Sequence, residues 1–211
     1  MCRHNTNNMH FIAITHPEKL KKEGEIINAL FHEGLPCLHL RKPGMNIDNV
    51  ESLLKKIESK FHNRVMVNDL VEMADRYNIK GVHFSGQAKQ LLSTPFNELS
   101  KSCSCHSFHE IADVAAFCDY VFLSPIFNSI SKKGYKAAFN FDDLVKELSQ
   151  ENRTKIIALG GISPEKIVKA KQVGFDGVAV LGGLWDETST LKKVVSNFKM
   201  YKKQMEICDL M

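Results

Sequence analysis

The chain has 211 residues, of which 44% are hydrophobic and 25% charged, and 28 Lys+Arg against 24 Asp+Glu give a formal net charge of +4. This ordinary globular composition excludes disordered, collagen-like and coiled-coil proteins. The length predicts a single domain over residues 1–211, large enough to fold without disulfide or metal staples. No apolar run reaches the roughly 18 residues of a membrane span, so we expect a cytoplasmic protein with no membrane partner.

The cysteines and basic residues exclude further classes. Six cysteines occur without a CxxC pair, which disfavours zinc and thioredoxin-type sites and favours reduced thiols. The basic residues are spread along the chain without aromatic interleaving, so nucleic-acid binding is not predicted. The mild positive charge instead fits an anionic small molecule, and association into a homo-oligomer is left open.

Short apolar or β-branched segments alternate with segments of helical spacing. The predicted strands are Phe11–Ile14, Cys37–Leu40, Val65–Val67, Gly81–Phe84, Cys103–Cys105, Tyr120–Leu123, Lys155–Leu159 and Gly177–Leu181. The predicted helices include Glu18–His32, Ile47–Phe61, Leu70–Asn78, Glu110–Phe117, Phe141–Gln150 and Pro164–Val173. Asp48 and Glu51 resemble a capping box for the second of these helices.

Eight such units indicate an α/β protein with a single compact (β/α)8 TIM barrel. An open doubly wound sheet is the alternative, because alternation alone does not show that the sheet closes. Two glycine pairs favour the barrel: Gly160 and Gly161 follow the seventh strand, and Gly182 and Gly183 follow the eighth. Barrels often bind phosphate through backbone N–H groups at these two strand ends, although two tight turns would also explain the glycines.

The second strand ends in two polar side chains. His39 and Arg41 are two residues apart and therefore lie on one side of the strand, facing the mouth of a barrel. A guanidinium there suits a pair of phosphate oxygens. A surface salt bridge is the alternative for Arg41.

The third and fourth strands also end in polar residues. Asn68 and Asp69 follow an apolar strand and would suit one magnesium ligand and its neighbour, although Asp69 could equally cap the next helix. His83 ends the fourth strand, where a lone histidine is more often a hydrogen-bonded core residue than a base. Cys103, Cys105, His106 and His109 are not expected to bind a metal, because His106 points away from the two cysteines on a strand.

A long polar loop follows the sixth strand. It runs from Ser124 to Gly134 and contains Ser129, Ser131 and Lys132. Hydroxyls, lysines and a glycine indicate a mobile anion-binding lid, and a solvated lysine loop is the alternative.

Six sequence blocks, in order, resemble the thiamine-phosphate synthase/TenI superfamily of (β/α)8 barrels. They are Val67-Asn68-Asp69, Gly81-Val82-His83, Ser104-Cys105-His106 continuing to Glu110, Asp119-Tyr120-Val121 continuing to Ser124-Pro125-Ile126-Phe127, Ile157 to Ile162, and Asp176 to Val180. Single blocks are weak signals, but six in the correct order and spacing indicate a role in thiamine biosynthesis.

The resemblance implies a magnesium-assisted transferase. Hydroxymethylpyrimidine diphosphate would lose pyrophosphate, and the thiazole phosphate nitrogen would capture the pyrimidine methyl cation. By resemblance, Arg41 and Lys132 contact the diphosphate and Asp69 binds Mg²⁺. The substrate-binding residues implied in the same way are His39, Asn68, His83, Ser104, His106, Ser129, Ser131, Gly160, Gly161, Gly182 and Gly183.

The chain departs from the superfamily pattern at the diphosphate motifs. The usual QLREK reads His39-Leu40-Arg41-Lys42-Pro43, so histidine replaces glutamine and Lys42 is the nearest substitute for the usual lysine. The usual GQxD reads Gly86-Gln87-Ala88-Lys89, which lacks the second magnesium ligand and places a cation there instead. Ser85 has the character of an inserted residue.

These departures keep two alternatives open. A TenI-type thiazole tautomerase would need an acid/base group, and Pro125 stands where those enzymes carry histidine, so His39, His83 or His106 would have to serve. A non-catalytic protein that binds thiazole phosphate is the other alternative.

Overall fold

Eight parallel strands form a closed barrel in the order β1 to β8, with β8 pairing with β1. The structure is a computed structural model that describes residues 8–94, 99–128, 138–150, 154–185 and 189–210. The strands are β1 His10–Ile14, β2 Cys37–Leu40, β3 Val65–Asn68, β4 Gly81–Phe84, β5 Ser100–Cys105, β6 Tyr120–Leu123, β7 Lys155–Leu159 and β8 Gly177–Val180. Closure confirms the predicted (β/α)8 barrel and excludes the open doubly wound sheet.

Helices surround this barrel. They are α1 Glu23–His32, α2 Ile47–Leu54, α3 Phe108–Val114, α4 Phe141–Leu148, α5 Ile167–Val173 and α6 Leu191–Asp209. None of the helices in the described part of the chain is long and apolar enough to cross a membrane. Short 3₁₀ helices complete the connections after β3 and β4, at Val71–Met73 and Gly86–Leu91.

The helix predicted over Leu70–Asn78 is wrong. Only one 3₁₀ turn, Val71–Met73, forms there, and its N-cap Leu70 offers no side-chain hydrogen bond. Asp69, the residue that would cap a longer helix, has φ of 58° and gives its carboxylate to Ser85. The segment therefore lacks the capping that a helix start needs.

The predicted start of the first helix at Glu18 and the predicted end of the second at Phe61 are also wrong. Helix α1 begins at Glu23, and α2 ends at Leu54. The capping box is wrong as well, because the Asn46 side chain accepts the bond from Asn49 N at 3.1 Å and caps α2 instead.

The strand side chains divide between two cores. Outward-facing residues such as Leu38, Val67 and Phe84 pack under the helices in one large cluster. The barrel interior has its own cluster, formed by Ile12, Ile14, Cys37, Met66, Tyr120, Phe122, Ile157 and Ala179. Alternation along each strand places polar side chains above this inner cluster, at the carboxyl ends of the strands.

Candidate active site

A cavity of about 480 Å³ opens at the carboxyl ends of the strands. Its lining residues are Ile14, His39, Arg41, Asn68, His83, Ser85, Gly86, Lys89, Ser104, His106, Phe122, Ser124, Leu159 and Leu181. Six of the predicted site residues thus lie around one space, although they come from four different strands and their ends: His39, Arg41, Asn68, His83, Ser104 and His106. This is the face of a barrel on which active sites are built.

His39 lies at the bottom of this cavity and is 1% exposed. Its Nε2 is 2.6 Å from the Tyr120 hydroxyl oxygen, and its ring centroid lies 4.7 Å from that of Phe122. Its Nδ1 is buried and has no hydrogen-bond partner among the described residues. Because buried polar atoms are normally paired, the unpaired Nδ1 is an exception at the cavity floor.

His83 stands beside His39, with the ring centroids 4.9 Å apart. Its Nδ1 is 2.8 Å from Ser102 Oγ, and its Nε2 is 2.8 Å from Ser104 Oγ. A neutral imidazole has one donor and one acceptor nitrogen, so one serine donates to the ring and the other accepts. Both ring nitrogens are therefore satisfied, and Ser104 fixes the ring that it contacts.

Both imidazoles are neutral at neutral pH. Burial holds the pKa of His39 well below its ordinary value, and His83 lowers it further. Burial also lowers the pKa of His83 to about 4, an effect that Cys103 opposes and that Arg41 and Lys89 reinforce. Efficient acid/base catalysts have pKa values near the operating pH, so neither ring suits proton transfer at neutral pH.

Arg41 is placed by backbone contacts with β1. The Thr15 hydroxyl accepts from Arg41 N and donates to Arg41 O, both at 2.9 Å. Thr15 itself is fully buried at the end of the first strand. These two bonds direct the Arg41 side chain to the cavity that it lines.

Lys89 is the second cation on the cavity wall. Its Nζ donates to Glu110 Oε2 at 2.8 Å. Burial, the largest single effect, lowers the pKa of Lys89, but the hydrogen bond to Glu110 and the nearby negative charges of Glu110 and the cysteines together outweigh it, so the pKa is raised. Lys89 is therefore an ammonium at neutral pH.

Asp69 lies beside the cavity, in an adjoining space of about 270 Å³. Its two carboxylate oxygens accept from Ser85 N at 2.7 Å and Ser85 Oγ at 2.6 Å. No group of three or more His, Cys, Asp or Glu able to hold a metal occurs within the described residues. Mg²⁺ is usually bound by one or two carboxylates together with waters and substrate phosphates. Here the one carboxylate already accepts a hydrogen bond from Ser85 at each oxygen, and the second position of the usual motif is the cation Lys89, so the residues present do not fit a Mg²⁺ site.

Lys42 does not reach the cavity mouth as a substitute for the superfamily lysine. Its Nζ lies 2.5 Å from Glu23 Oε1 and also donates to the carbonyl oxygens of His16 and Glu18. The side chains of Lys42 and Glu23 are 1% and 2% exposed. Lys42 points to the opposite side of the strand from Arg41 and forms a buried structural ion pair.

The glycine pairs lie next to the cavity, whose lining includes the preceding residues Leu159 and Leu181 but none of the four glycines. Gly160 and Gly161 have φ of 98° and 64°. A Cβ on Gly183 would lie 2.0 Å from the Tyr201 hydroxyl. Backbone conformation at Gly160 and Gly161 and packing at Gly183 thus require glycine, whatever the backbone binds.

Other predicted residues have different placements. His106 lines the cavity rim, with Nδ1 3.0 Å from Ser124 O. Asn68 also lines the cavity, and its Oδ1 is buried without a partner among the described residues. Ser129, Ser131 and Lys132 lie outside the residues that the structure describes.

Sequence reasoning missed three residues that position the site. Thr15 holds Arg41, Tyr120 contacts His39, and Ser102 contacts His83. Ser102 is two residues before Ser104 on β5, so strand alternation could have identified it. The partners of Thr15 and Tyr120 are 26 and 81 residues away in sequence, and no local pattern reveals such contacts.

Comparisons with known proteins agree with this geometry. The family described as "Thiamine monophosphate synthase" matches residues 10–184. The thiamine-phosphate synthase of Clostridium acetobutylicum is 27% identical over 196 residues, which are 88% of this chain and 92% of the relative. The thiamine phosphate pyrophosphorylase from Bacteroides thetaiotaomicron is 31% identical, with a TM-score of 0.80 over 94% of this chain and 98% of that one. The chain therefore belongs to the thiamine monophosphate synthase family.

Proposed function

We propose that this chain is a thiamine-phosphate synthase that joins hydroxymethylpyrimidine diphosphate to thiazole phosphate and releases pyrophosphate. One observation carries the proposal beyond family membership. The described lining of the cavity holds two cations, Arg41 and Lys89, and no carboxylate. Such a wall attracts phosphorylated substrates and stabilises negative charge on a leaving pyrophosphate.

The proposed reaction requires charge stabilisation and alignment. The C–O bond of the diphosphate ester breaks, and its electron pair leaves with pyrophosphate. The thiazole nitrogen then donates its lone pair to the pyrimidine methyl carbon. Arg41 stabilises the departing charge, while the His39 Nδ1 and the Phe122 ring at the cavity floor orient the pyrimidine.

The thiazole phosphate is proposed to bind at the two glycine pairs. Gly160, Gly161, Gly182 and Gly183 follow β7 and β8, where barrels place backbone N–H groups toward phosphate. His106 and Asn68 line the cavity between the proposed subsites. Ser129, Ser131 and Lys132 stay proposed contacts of the diphosphate.

The tautomerase alternative is less well supported at the two buried histidines, which leaves His106 at the cavity rim as its acid/base candidate. It requires a group that exchanges protons near neutral pH, and the pKa of buried His83 is about 4. Burial also lowers the pKa of His39 well below its ordinary value. The synthase reaction requires no general base, so neutral imidazoles are compatible with it.

Further proposals concern the setting of the enzyme. We propose one domain over residues 1–211 and a cytoplasmic location. Buried free thiols such as Cys37 and Cys105 suit a reducing compartment. Association into a homo-oligomer stays open.

The test is formation of thiamine phosphate from the two purified substrates, followed by chromatography, with each substrate omitted in turn. Arg41→Ala should lower kcat/KM on the order of a hundredfold, since it removes a charge-assisted contact to the leaving group. Arg76→Ala is the matched control, because Arg76 is 55% exposed and pairs with Glu51 outside the cavity. No product from a folded wild-type protein would refute the synthase and leave the non-catalytic binder.

A further inference from the structure

The charge of the cavity differs from that of a metal-dependent diphosphate site. Divalent cations in such sites are held by carboxylates and bridge to the phosphates. Here the described lining residues offer two permanent cations and no carboxylate. Of the two acids beside the cavity, Glu110 is paired with Lys89, and Asp69 lies in the adjoining space, where each of its carboxylate oxygens accepts one hydrogen bond from Ser85.

Lys89 is held where it can contact an anion. It belongs to the 3₁₀ helix after β4, and its side chain is 27% exposed on the cavity wall. Glu110, in the first turn of α3, accepts one of its three ammonium hydrogens. The Ser107 side chain caps that turn by accepting from Glu110 N at 3.1 Å. The other two ammonium hydrogens can bond phosphate oxygens.

Lys89 also disfavours a divalent cation in the same space. Like charges repel more strongly where protein partly replaces water, so an ammonium on the wall raises the free energy of a bound Mg²⁺. The same ammonium attracts a diphosphate, and Arg41 adds a planar fork of donors on the same wall.

We propose that this cavity binds the diphosphate group through Arg41 and Lys89 without a divalent cation, with Glu110 as the residue that positions Lys89. The proposal rests on the proposed function and specifies how that site neutralises its substrate. It predicts an enzyme whose diphosphate affinity does not depend on Mg²⁺.

The experiment is calorimetric titration of the full-length protein with inorganic pyrophosphate, in EDTA and in Mg²⁺. We expect binding in EDTA with an affinity within about threefold of that in Mg²⁺. Lys89→Asp should weaken binding in EDTA more than tenfold, and it should create a Mn²⁺ site detectable by electron paramagnetic resonance. Glu110→Gln should weaken pyrophosphate binding in EDTA by a smaller factor, because the Lys89 ammonium stays but loses its orientation.

Lys199→Asp is the matched control, because Lys199 also pairs with a glutamate, Glu33 at 3.0 Å, but lies on the outer helix α6. It should leave pyrophosphate binding within twofold of wild type. Binding that requires Mg²⁺, or no binding in either buffer, would overturn the proposal. Metal-free binding without thiamine phosphate formation would refute the proposed function alone, so the two failures are distinguishable.

Discussion

Glu23→Gln tests the buried ion pair that anchors the segment after β2. The Lys42 ammonium donates to the Glu23 carboxylate at 2.5 Å and to the carbonyls of His16 and Glu18 at 2.7 and 2.8 Å. Both paired side chains are at least 98% buried. The substitution keeps the shape and one acceptor oxygen, but it leaves the ammonium without a counter-charge.

The expected cost follows from this burial. Removing one partner of a buried pair costs about 3 to 5 kcal/mol, and we expect about 3 kcal/mol because three oxygens still accept from Nζ of Lys42. Burial already lowers the pKa of Lys42, because its effect is larger than that of the Glu23 hydrogen bond and charge, which raise the pKa. Glu23→Gln removes the counter-charge, so the pKa falls further. The folded variant then binds fewer protons than the unfolded chain. The difference in unfolding free energy between the variant and the wild type should therefore shrink as pH rises from 7 to 9.

Urea unfolding followed by circular dichroism measures this cost. Glu25→Gln is the control, since the same substitution on the same helix disturbs a surface pair with Lys22 whose side chains are 65% and 60% exposed. That pair should contribute less than about 1 kcal/mol. Equal free energies of unfolding for the two variants would refute the reasoning about Lys42.

Three further predictions concern the cavity and its supports. Thr15→Val should raise KM for the diphosphate substrate about tenfold, because it removes both 2.9 Å hydrogen bonds to the Arg41 backbone. Thr15→Ser keeps the hydroxyl and should have the KM of the wild type. Equal kinetics for the two variants would contradict this role of Thr15. Lowering the pH from 7 to 5 should cost about 2 kcal/mol of unfolding free energy through His83, because the unfolded histidine, with its higher pKa, binds the proton first. His83→Asn should reduce the slope in urea titrations by this amount and leave the share that buried His39 contributes, and an unchanged slope would disprove the assignment. Gly183→Ala should destabilise by about 2 kcal/mol, because its Cβ would meet the Tyr201 hydroxyl at 2.0 Å; a melting temperature equal to wild type would exclude the clash.

Most of the strands could be predicted from sequence because they are short and largely apolar, β5 with its sequence SKSCSC being the exception. β2 and β6 have the predicted bounds, Cys37–Leu40 and Tyr120–Leu123. Buried parallel strands of this kind produce short apolar runs with turn residues on both sides. The same runs predicted which polar residues would meet at the mouth, since their positions relative to the strand ends are local information.

The rest depends on contacts between distant parts of the chain. The missing helix after β3 follows from Asp69, whose carboxylate bonds Ser85, 16 residues later, instead of capping the next segment. Strand alternation places Lys42 on the opposite side from Arg41, but it does not reveal the partner Glu23, which lies 19 residues earlier on α1. The long-range partner decided each case, and sequence periodicity carries no information about it.

The cavity is uncharged at its floor and positively charged on its wall, and this difference determines the orientation of a bound substrate. At the floor, neutral His39 and Phe122 provide two aromatic rings whose planes are tilted by 37° and one buried nitrogen without a partner among the described residues, with His39 1% exposed. On the wall, Lys89 is 27% exposed and keeps contact with water. Burying a charged diphosphate at the floor would cost several kcal/mol, whereas an aromatic ring gains free energy there. Under the proposed function, the pyrimidine therefore lies inside and the diphosphate at the rim. The bond that breaks then lies at the boundary between the two regions, and pyrophosphate leaves directly toward solvent.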